Sequence, residues 1–313
     1  MTRRTIDIEI PSLAGRRAVV TGGSDGIGLR IATRLARAGA DLVLPVRNPR
    51  KGDAAASAIR AVAPEALVQT MPLDLSSLES VAAFGDTMRA SGRPVHLLIN
   101  NAGVMTPPQR QTTADGIEVQ FGTNHLGHFA LVAHLLPLLR AGRARVTSQI
   151  SVAANQGSIH WDDLNWERSY NGMRAYSQSK IAFGMFGLEL DRRSESRGWG
   201  ITSNLSHPGI APTSLLSARP ELGRAQDTLG VRLIRWASAR GLVVGTPETA
   251  ALPALYAATS SEAQARRLYG PKRAGHLGGA PAEQALYSRL RSESDAARIW
   301  AASEELAGVS FPD

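Results

Sequence analysis

The chain contains no cysteine, and this absence excludes disulfide frameworks, thiol catalysis and cysteine-ligated zinc together. Lysine is almost missing as well: Lys51, Lys180 and Lys272 are the only three in 313 residues, so each one merits inspection. Aromatic residues make up 5%. The most apolar stretch, HFALVAHLLPLLR from His128, is broken by His134 and Pro137 and is too short to span a bilayer. At the N-terminus Asp7 and Glu9 interrupt what would otherwise be the apolar core of a signal peptide. A soluble, cytoplasmic protein without a transmembrane segment is expected. The net charge of +8 raises the question of nucleic acid. However, the 32 arginines are spread along the chain with acids between them. No basic run alternates with aromatics, so no nucleic-acid partner is expected.

What is present is an alternation. With 43% hydrophobic residues the chain can bury a large core. Arg17–Thr21 reads as a short buried strand, and Ile27, Ile31 and Leu35 then recur at helical spacing until Gly39. LVLPV (42–46) is a second strand, with Asn48-Pro49 as cap and first position of a helix to Val62. Leu67–Met71, VHLLI (95–99), RVTSQI (145–150) and ITSNLS (201–206) continue the strands. Helical patterns cover Ser76–Arg89, roughly Asp115–Leu139 and the surroundings of Tyr176. This order predicts an α/β fold with a doubly wound parallel sheet covered on both faces, in one domain spanning residues 1–313. Pro45 fits badly inside an internal strand and belongs near its end. The stretch 214–245 breaks the alternation; Leu229, Leu233, Ile234 and Trp236 share one side of it. It is either an ordinary packed helix or a lid over a substrate pocket.

The glycines concentrate in VVTGGSDGIGLR, residues 19–30. Gly22, Gly26 and Gly28 follow a strand and open a helix, which places backbone N–H groups and the positive end of a helix dipole where a pyrophosphate could sit. The spacing Thr-Gly-x3-Gly-x-Gly resembles that of the short-chain dehydrogenase/reductase family. The resemblance covers most of the chain: Asn100-Asn101-Ala102-Gly103 follows the fourth strand, Asp74 the third, and Asn124 lies in TNHLGHF. Ser151 in QISVAANQG, Tyr176 and Lys180 in AYSQSK, and Pro208-Gly209 in SHPGIAPT complete the series in order. The long spacing from Ser151 to Tyr176 is similar to that of the retinol-dehydrogenase-like branch. The resemblance implies a Rossmann-type fold and a catalytic set of Asn124, Ser151, Tyr176 and Lys180. It also implies cofactor contacts from Gly22, Ser24, Asp25, Gly26, Ile27 and Gly28, from Asp74 and Leu75, and from Asn101, Ala102 and Gly103. Tyr176, Lys180, Pro208, Gly209, Ile210 and Thr213 complete those contacts.

Each feature has a plainer reading beside it. Tyr176 and Lys180 could be an i,i+4 surface pair. With lysine this scarce, random placement gives any Tyr-x3-Lys in about 5% of such chains. Asp74 could cap the following helix, a role compatible with adenine contact. His125 and His128 have helical spacing, but without cysteine or a carboxylate partner they read as packing or hydrogen-bonding residues, and no metal is expected.

The chemistry follows from residue type. Carbonyl reduction needs hydride at carbon and a proton at oxygen, and a free tyrosine, with pKa of about 10, gives its proton up reluctantly near neutrality. Lys180 one turn away is expected to lower that pKa. Ser151 can hydrogen-bond the substrate oxygen, and by resemblance Asn124 holds a water that relays protons. Ser148 is the poorer serine, because by resemblance the family's serine precedes a short small-residue turn, as Ser151 precedes Val152-Ala153-Ala154. After the second strand the chain reads Val46-Arg47-Asn48 with Lys51 behind it and no acid to grip a ribose 2′-OH. Arg47 and Asn48 are therefore added to the cofactor set, and NADP(H) is favoured over NAD(H), unless Arg47 is merely one arginine of many. The expected activity interconverts an alcohol and an aldehyde or ketone, with a bulky lipophilic substrate walled by Trp161, Trp166 and Trp236. The alternative is a catalytically inactive regulator or scaffold of the same fold. Relatives that pair through helices beside the site suggest a homodimer or homotetramer.

Overall fold

Apolar runs too short for helices become strands once neighbours cover both faces, and the parallel sheet is built this way. In a computed structural model of the protein, β1 (Arg17–Val20), β2 (Asp41–Val46), β3 (Val68–Pro72) and β4 (Leu97–Asn100) alternate with helices α1 (Gly26–Arg37), α2 (Pro49–Val62) and α3 (Leu78–Ala90). The second half adds α4 (Gly127–Ala141), β5 (Arg145–Gln149), α5 (Gly172–Arg197), β6 (Thr202–Ser206) and α6 (Pro247–Thr259). It closes with β7 (Leu268–Pro271), β8 (Pro281–Gln284) and α7 (Glu293–Ala307). The structure describes residues 6–209, 223, 245–272 and 278–312. The stretch 214–245, expected as a lid or packed helix, falls outside the described residues except for Gly223 and Gly245.

The eight strands lie in the order β3-β2-β1-β4-β5-β6-β7-β8. All neighbours are parallel except β7 and β8, so the wholly parallel sheet expected from the alternation gains an antiparallel edge. Side chains alternate between the faces. Val19, Val43, Leu98, Val146 and Leu205 enter the core with α3, α4, α5 and α7, while Ala18, Val20, Leu42, Leu44 and Ile99 enter the core with α1, α2 and α6. Burying each large aliphatic side chain fully stabilises the fold by about 1.5–3 kcal/mol relative to exposure.

Pro45 is tolerated for a geometric reason. Asp41 N donates to Arg16 O and Leu42 N to Leu67 O, so odd residues of β2 face β1 and even ones face β3. The β1 ladder ends at Val19↔Val43. The missing N–H of Pro45 therefore points past the ladder, toward the glycine turn. The helical pattern before α4 also resolves into something irregular: one short turn at Val119–Phe121, then a π-helical turn at Gly122–Leu126 that carries Asn124. Such turns break the i→i+4 repeat and free local carbonyls.

Candidate active site

The strand order reverses between β1 and β4, and in open α/β sheets the crevice beyond the carboxyl ends of the strands at that point is the usual ligand site. The motif residues all lie at this edge. The glycine turn follows β1, Arg47 follows β2, Asp74 follows β3, Asn101–Gly103 follow β4, Ser151 follows β5 and Pro208-Gly209 follows β6. By contrast Ser148 lies within β5, fully buried and paired in register with Leu205, so Ser151 is the serine at the edge.

The turn needs glycine for two separate reasons. Gly22 has φ +65, where a side chain is strained, and a Cβ at Gly28 would lie 2.1 Å from Gly22 O and 2.6 Å from Asn101 Nδ2. Asp25 caps α1 by accepting from Gly26 N at 2.7 Å, and the first turn of the helix carries no acid. The remaining N-terminal amides thus face the crevice in a field that favours an anion. Ser24 is half-buried and Ile27 packs at the margin of the adjacent core.

Asn101 fastens this turn to the rest of the edge. Its Nδ2 donates to Thr21 O at 2.8 Å, its Oδ1 accepts from Gln149 Nε2 at 2.7 Å, and its N–H donates to Thr21 Oγ1 at 2.8 Å. Gly103 sits beside two further motif residues: a Cβ there would be 3.0 Å from Asn124 Oδ1 and 3.7 Å from Lys180 Nζ. Asn124 is wholly buried; its Oδ1 accepts from Val104 N, and its Nδ2 donates to Val104 O and Ser179 Oγ, all within 3.0 Å. Both amide hydrogens are committed, which leaves only oxygen lone pairs at this residue.

Tyr176 and Lys180 share a face of α5, at 3% and 4% exposure, so they are not a surface pair. Burial pushes the Tyr176 phenol up, and the Ser151 hydroxyl facing it offsets part of the rise. This overturns the expectation that Lys180 holds the phenol below its ordinary value. The Lys180 ammonium is 6.0 Å from the centre of the tyrosine ring and donates to Gln149 O at 3.1 Å, so loss of solvent outweighs its field. Burial pushes Lys180 itself down to about 8.

A family model described as short chain dehydrogenase matches residues 16–221, which include the whole of this edge. The chain belongs to the short-chain dehydrogenase family. Among curated relatives it is 39% identical to human retinol dehydrogenase 13 over 303 residues, covering 96% of this chain and 87% of that protein. It is 38% identical to mouse polyprenol dehydrogenase over 292 residues, 91% of this chain and 84% of the relative. Among solved structures, an uncharacterised protein from Mycobacterium paratuberculosis superposes with TM-score 0.76 at 34% identity, covering 99% of this chain and 100% of that one. The Pseudomonas aeruginosa RhlG/NADP active-site complex superposes with TM-score 0.61 at 26% identity, covering 82% and 93%. These matches place the chain in the retinol-dehydrogenase-like branch.

The remaining residues of this short-chain dehydrogenase divide by what they touch. Arg47 and Lys51 are exposed, and neither has a carboxylate within ion-pair distance among the described residues. Asn48 caps α2, its side chain accepting from Lys51 N at 3.2 Å. Asp74 does not cap α3; Ser77 does, and Asp74 Oδ1 instead accepts from Ser76 N and Ser76 Oγ. Leu75 is buried in the core and presses its carbonyl against Gly127. Gly209 has φ +71 and donates its N–H to His207 Nδ1 at 3.3 Å, beside half-buried Pro208. Ile210 and Thr213 lie outside the described residues.

His125 and His128 are buried hydrogen-bonding residues, and among the described residues no group of metal-ligating side chains occurs. Of the tryptophans named as pocket walls, Trp161 and Trp166 are packed. Trp161 lies under the Arg298 guanidinium, 4.0 Å from its ring centre. Trp166, 2% exposed, packs tilted against His160 with ring centres 4.2 Å apart, its backbone at φ +54. Trp236 lies outside the described residues. Sequence reasoning missed Gln149, whose carbonyl holds Lys180 and whose amide holds Asn101; a polar residue ending a buried strand was the available signal. Among the described residues no helix is long and apolar enough to cross a membrane.

Proposed function

We propose that this short-chain dehydrogenase uses NADP(H) to interconvert a bulky lipophilic alcohol and its aldehyde or ketone, with Tyr176 as acid and base. One observation carries the reading: a buried phenol beside a serine hydroxyl, with a buried ammonium one helical turn on, at the sheet's switch point. A scaffold protein has no use for that arrangement, because burying an ammonium is costly. The residues present fit a dinucleotide. Gly22 and Gly28 leave bare backbone at the turn, α1 opens without an acid, and Arg47 and Lys51 stand uncommitted where a 2′-phosphate would meet them. The NADP-bound relative from Pseudomonas supports that choice, and the retinol and polyprenol dehydrogenases support a lipophilic substrate.

The bound dinucleotide supplies or accepts the hydride. The chain's own residues manage the oxygen. Ser151 donates a hydrogen bond to the substrate carbonyl, drawing its electrons toward oxygen. Tyr176 holds its proton at neutral pH and releases it to that oxygen as hydride reaches the carbon, so the alkoxide never stands alone. Lys180, still protonated at pH 7, faces the resulting phenolate and stabilises it. In the oxidative direction the phenolate takes the hydroxyl proton, so the rate of oxidation rises with pH.

The test is a panel of lipophilic aldehydes and ketones followed by NADPH consumption, repeated with Tyr176→Phe. That variant keeps the ring and its packing, so cofactor affinity stays near wild type while turnover falls by at least ~10²-fold, the usual cost of losing general acid catalysis. Near-full activity in Tyr176→Phe on a substrate that the wild type turns over would refute the mechanism.

A further inference from the structure

His128 has no part in the chemistry above, yet it is wholly buried, so both ring nitrogens require partners. Nδ1 lies 3.1 Å from the Asn124 carbonyl oxygen and Nε2 lies 3.0 Å from Thr21 Oγ1. A carbonyl can only accept, so Nδ1 carries the proton. Burial pushes the imidazole down to about 3, and although the bond to Asn124 acts against this, the nearby Lys180 charge adds to it. The ring is neutral and Nε2 is a bare acceptor. The Thr21 hydroxyl must therefore donate to it. Both lone pairs of that hydroxyl are already occupied, by Asn101 N–H at 2.8 Å and Ala102 N–H at 3.0 Å. The other acceptor within reach of that hydroxyl, Ile99 O, is farther at 3.4 Å, so the Nδ1–H tautomer in this orientation is the one that satisfies both ring nitrogens.

The same bonds continue in both directions. Thr21 is the residue before Gly22, and its carbonyl also holds Asn101 Nδ2. On the other side the Asn124 side chain donates to Ser179 Oγ at 3.0 Å, and Ser179 donates to Tyr176 O at 2.8 Å. We propose that His128 is a positioning residue that couples the cofactor turn to the catalytic helix, its Nε2 holding the turn through Thr21 and its Nδ1 holding the π-helical turn through Asn124. This rests on the reading of Tyr176 as the acid and of the glycine turn as the cofactor site.

Because each nitrogen serves a different side, two substitutions separate them. Asn at position 128 keeps an N–H on the same Cγ, able to reach the Asn124 carbonyl, but takes from the Thr21 hydroxyl its near acceptor and leaves it only Ile99 O at 3.4 Å. Leu removes both bonds at similar volume. His128→Leu is expected to weaken NADPH binding, read by protein fluorescence, by about tenfold and to lower kcat by about tenfold, the scale of one buried hydrogen bond left unmade in each place. Substrate KM stays within about twofold, because neither bond reaches the substrate. His128→Asn weakens NADPH binding as much as Leu does but recovers most of the lost kcat. In a Thr21→Val background His128→Asn weakens binding no further.

A mere packing role would move both variants alike, so equal kcat in Asn and Leu variants overturns the proposal, as does a folded Leu variant with wild-type binding and kcat. Should neither variant fold, nitrogen-15 spectra of histidine-labelled wild-type protein decide. One histidine fixed in the neutral Nδ1–H form from pH 5 to 8 supports the coupling, and its absence overturns it. Binding and spectra require no turnover, so they remain informative even if Tyr176→Phe proves active and the acid–base reading fails.

Discussion

Strands β1 and β4 bury RAVV and LLIN, whereas their neighbours β5 and β6 bury VTSQ and SNLS in the same sheet. The first pair is held mainly by apolar area, with buried Arg17 opening β1 and Asn100 closing β4 without a side-chain partner among the described residues. The second is held by paired polar groups: Thr147 Oγ1 donates to Asn204 Oδ1 at 2.8 Å, and Asn204 Nδ2 donates to Ala257 O at 2.8 Å. Ala257 lies in the last turn of α6, where carbonyls have no intrahelical donor, so the helix end supplies an acceptor the strand needs. Arg145 uses the same end, donating to Ser260 O at 2.7 Å. Some hydroxyls in this half, those of Ser148, Ser203 and Ser206, have no hydrogen-bond partner among the described residues. The half that holds the nucleotide turn is thus the mechanically plain one. The half that carries Ser151, Tyr176 and Lys180 keeps polar groups buried at a cost in stability, which the proposed reaction would require.

The largest test of that contrast is Lys180→Met. Burial lowers the ammonium from its ordinary 10.5 to about 8, so folding disfavours the charged form. The penalty is fully present below pH 8, where lysine is charged both folded and unfolded, and disappears above pH 10.5, where it is neutral in both. Removing it should therefore stabilise the protein by about 3 kcal/mol at pH 7, with the gain shrinking to nothing as pH rises from 8 to 10.5, while turnover is lost. Urea midpoints across that range measure it. A variant less stable than wild type at pH 7 would show that the bond to Gln149 outweighs the burial.

A smaller effect comes from exchanging hydroxyl and methyl in the two halves. Thr147→Val leaves the buried Asn204 Oδ1 without a donor, and Val19→Thr places an unpartnered hydroxyl in the apolar half. Each should cost about 1–3 kcal/mol. If Thr147→Val instead stabilises, the polar pairing is not what holds β5 to β6, and the comparison fails on that side.

The same contrast decided what the sequence could reveal. In the nucleotide half, local rules were enough. Asn48-Pro49 is a cap followed by a first helical residue, the helix it opens ends at Val62 as expected, and Gly39 closes the turn after α1 at φ +93. Strand β7 and the edge strand β8, four residues each with prolines at Pro271 and Pro281, have no period to detect. The pairing that joins β7 to β6, Leu205↔Leu268, links residues far apart in sequence. Tyr176 and Lys180 were legible as a spaced pair. Their burial was not, since it depends on β5, β6 and α7 packing against α5, and burial is what reversed the expected shift of the phenol. The π-helical turn at Asn124 has no compositional signature either. Nothing local marks His128 as the partner of Thr21.

The smallest expected effect lies on the exposed rim of the nucleotide half, where neither area nor buried pairing operates. Arg47 follows the last residue of β2, and Lys51 sits one helical turn on, both in solvent. A cation there gains modestly from a phosphate, since water screens the pair, but bidentate guanidinium geometry makes it stronger than a typical surface contact. Arg47→Ala should weaken NADPH binding by about tenfold, near 1.4 kcal/mol, and leave NADH binding within about twofold, because NADH lacks the 2′-phosphate. The wild-type preference should also decline as salt rises, and more steeply than in Arg47→Ala. Lys51→Ala should reproduce a smaller part of the loss, as a flexible point charge does. Stability should not change in either variant, which separates this rim from both halves of the sheet. Titrations of both cofactors at two salt concentrations measure all of this. A wild-type protein that binds NADH more tightly than NADPH would remove the 2′-phosphate from the account, leaving the glycine turn as a site for NAD(H).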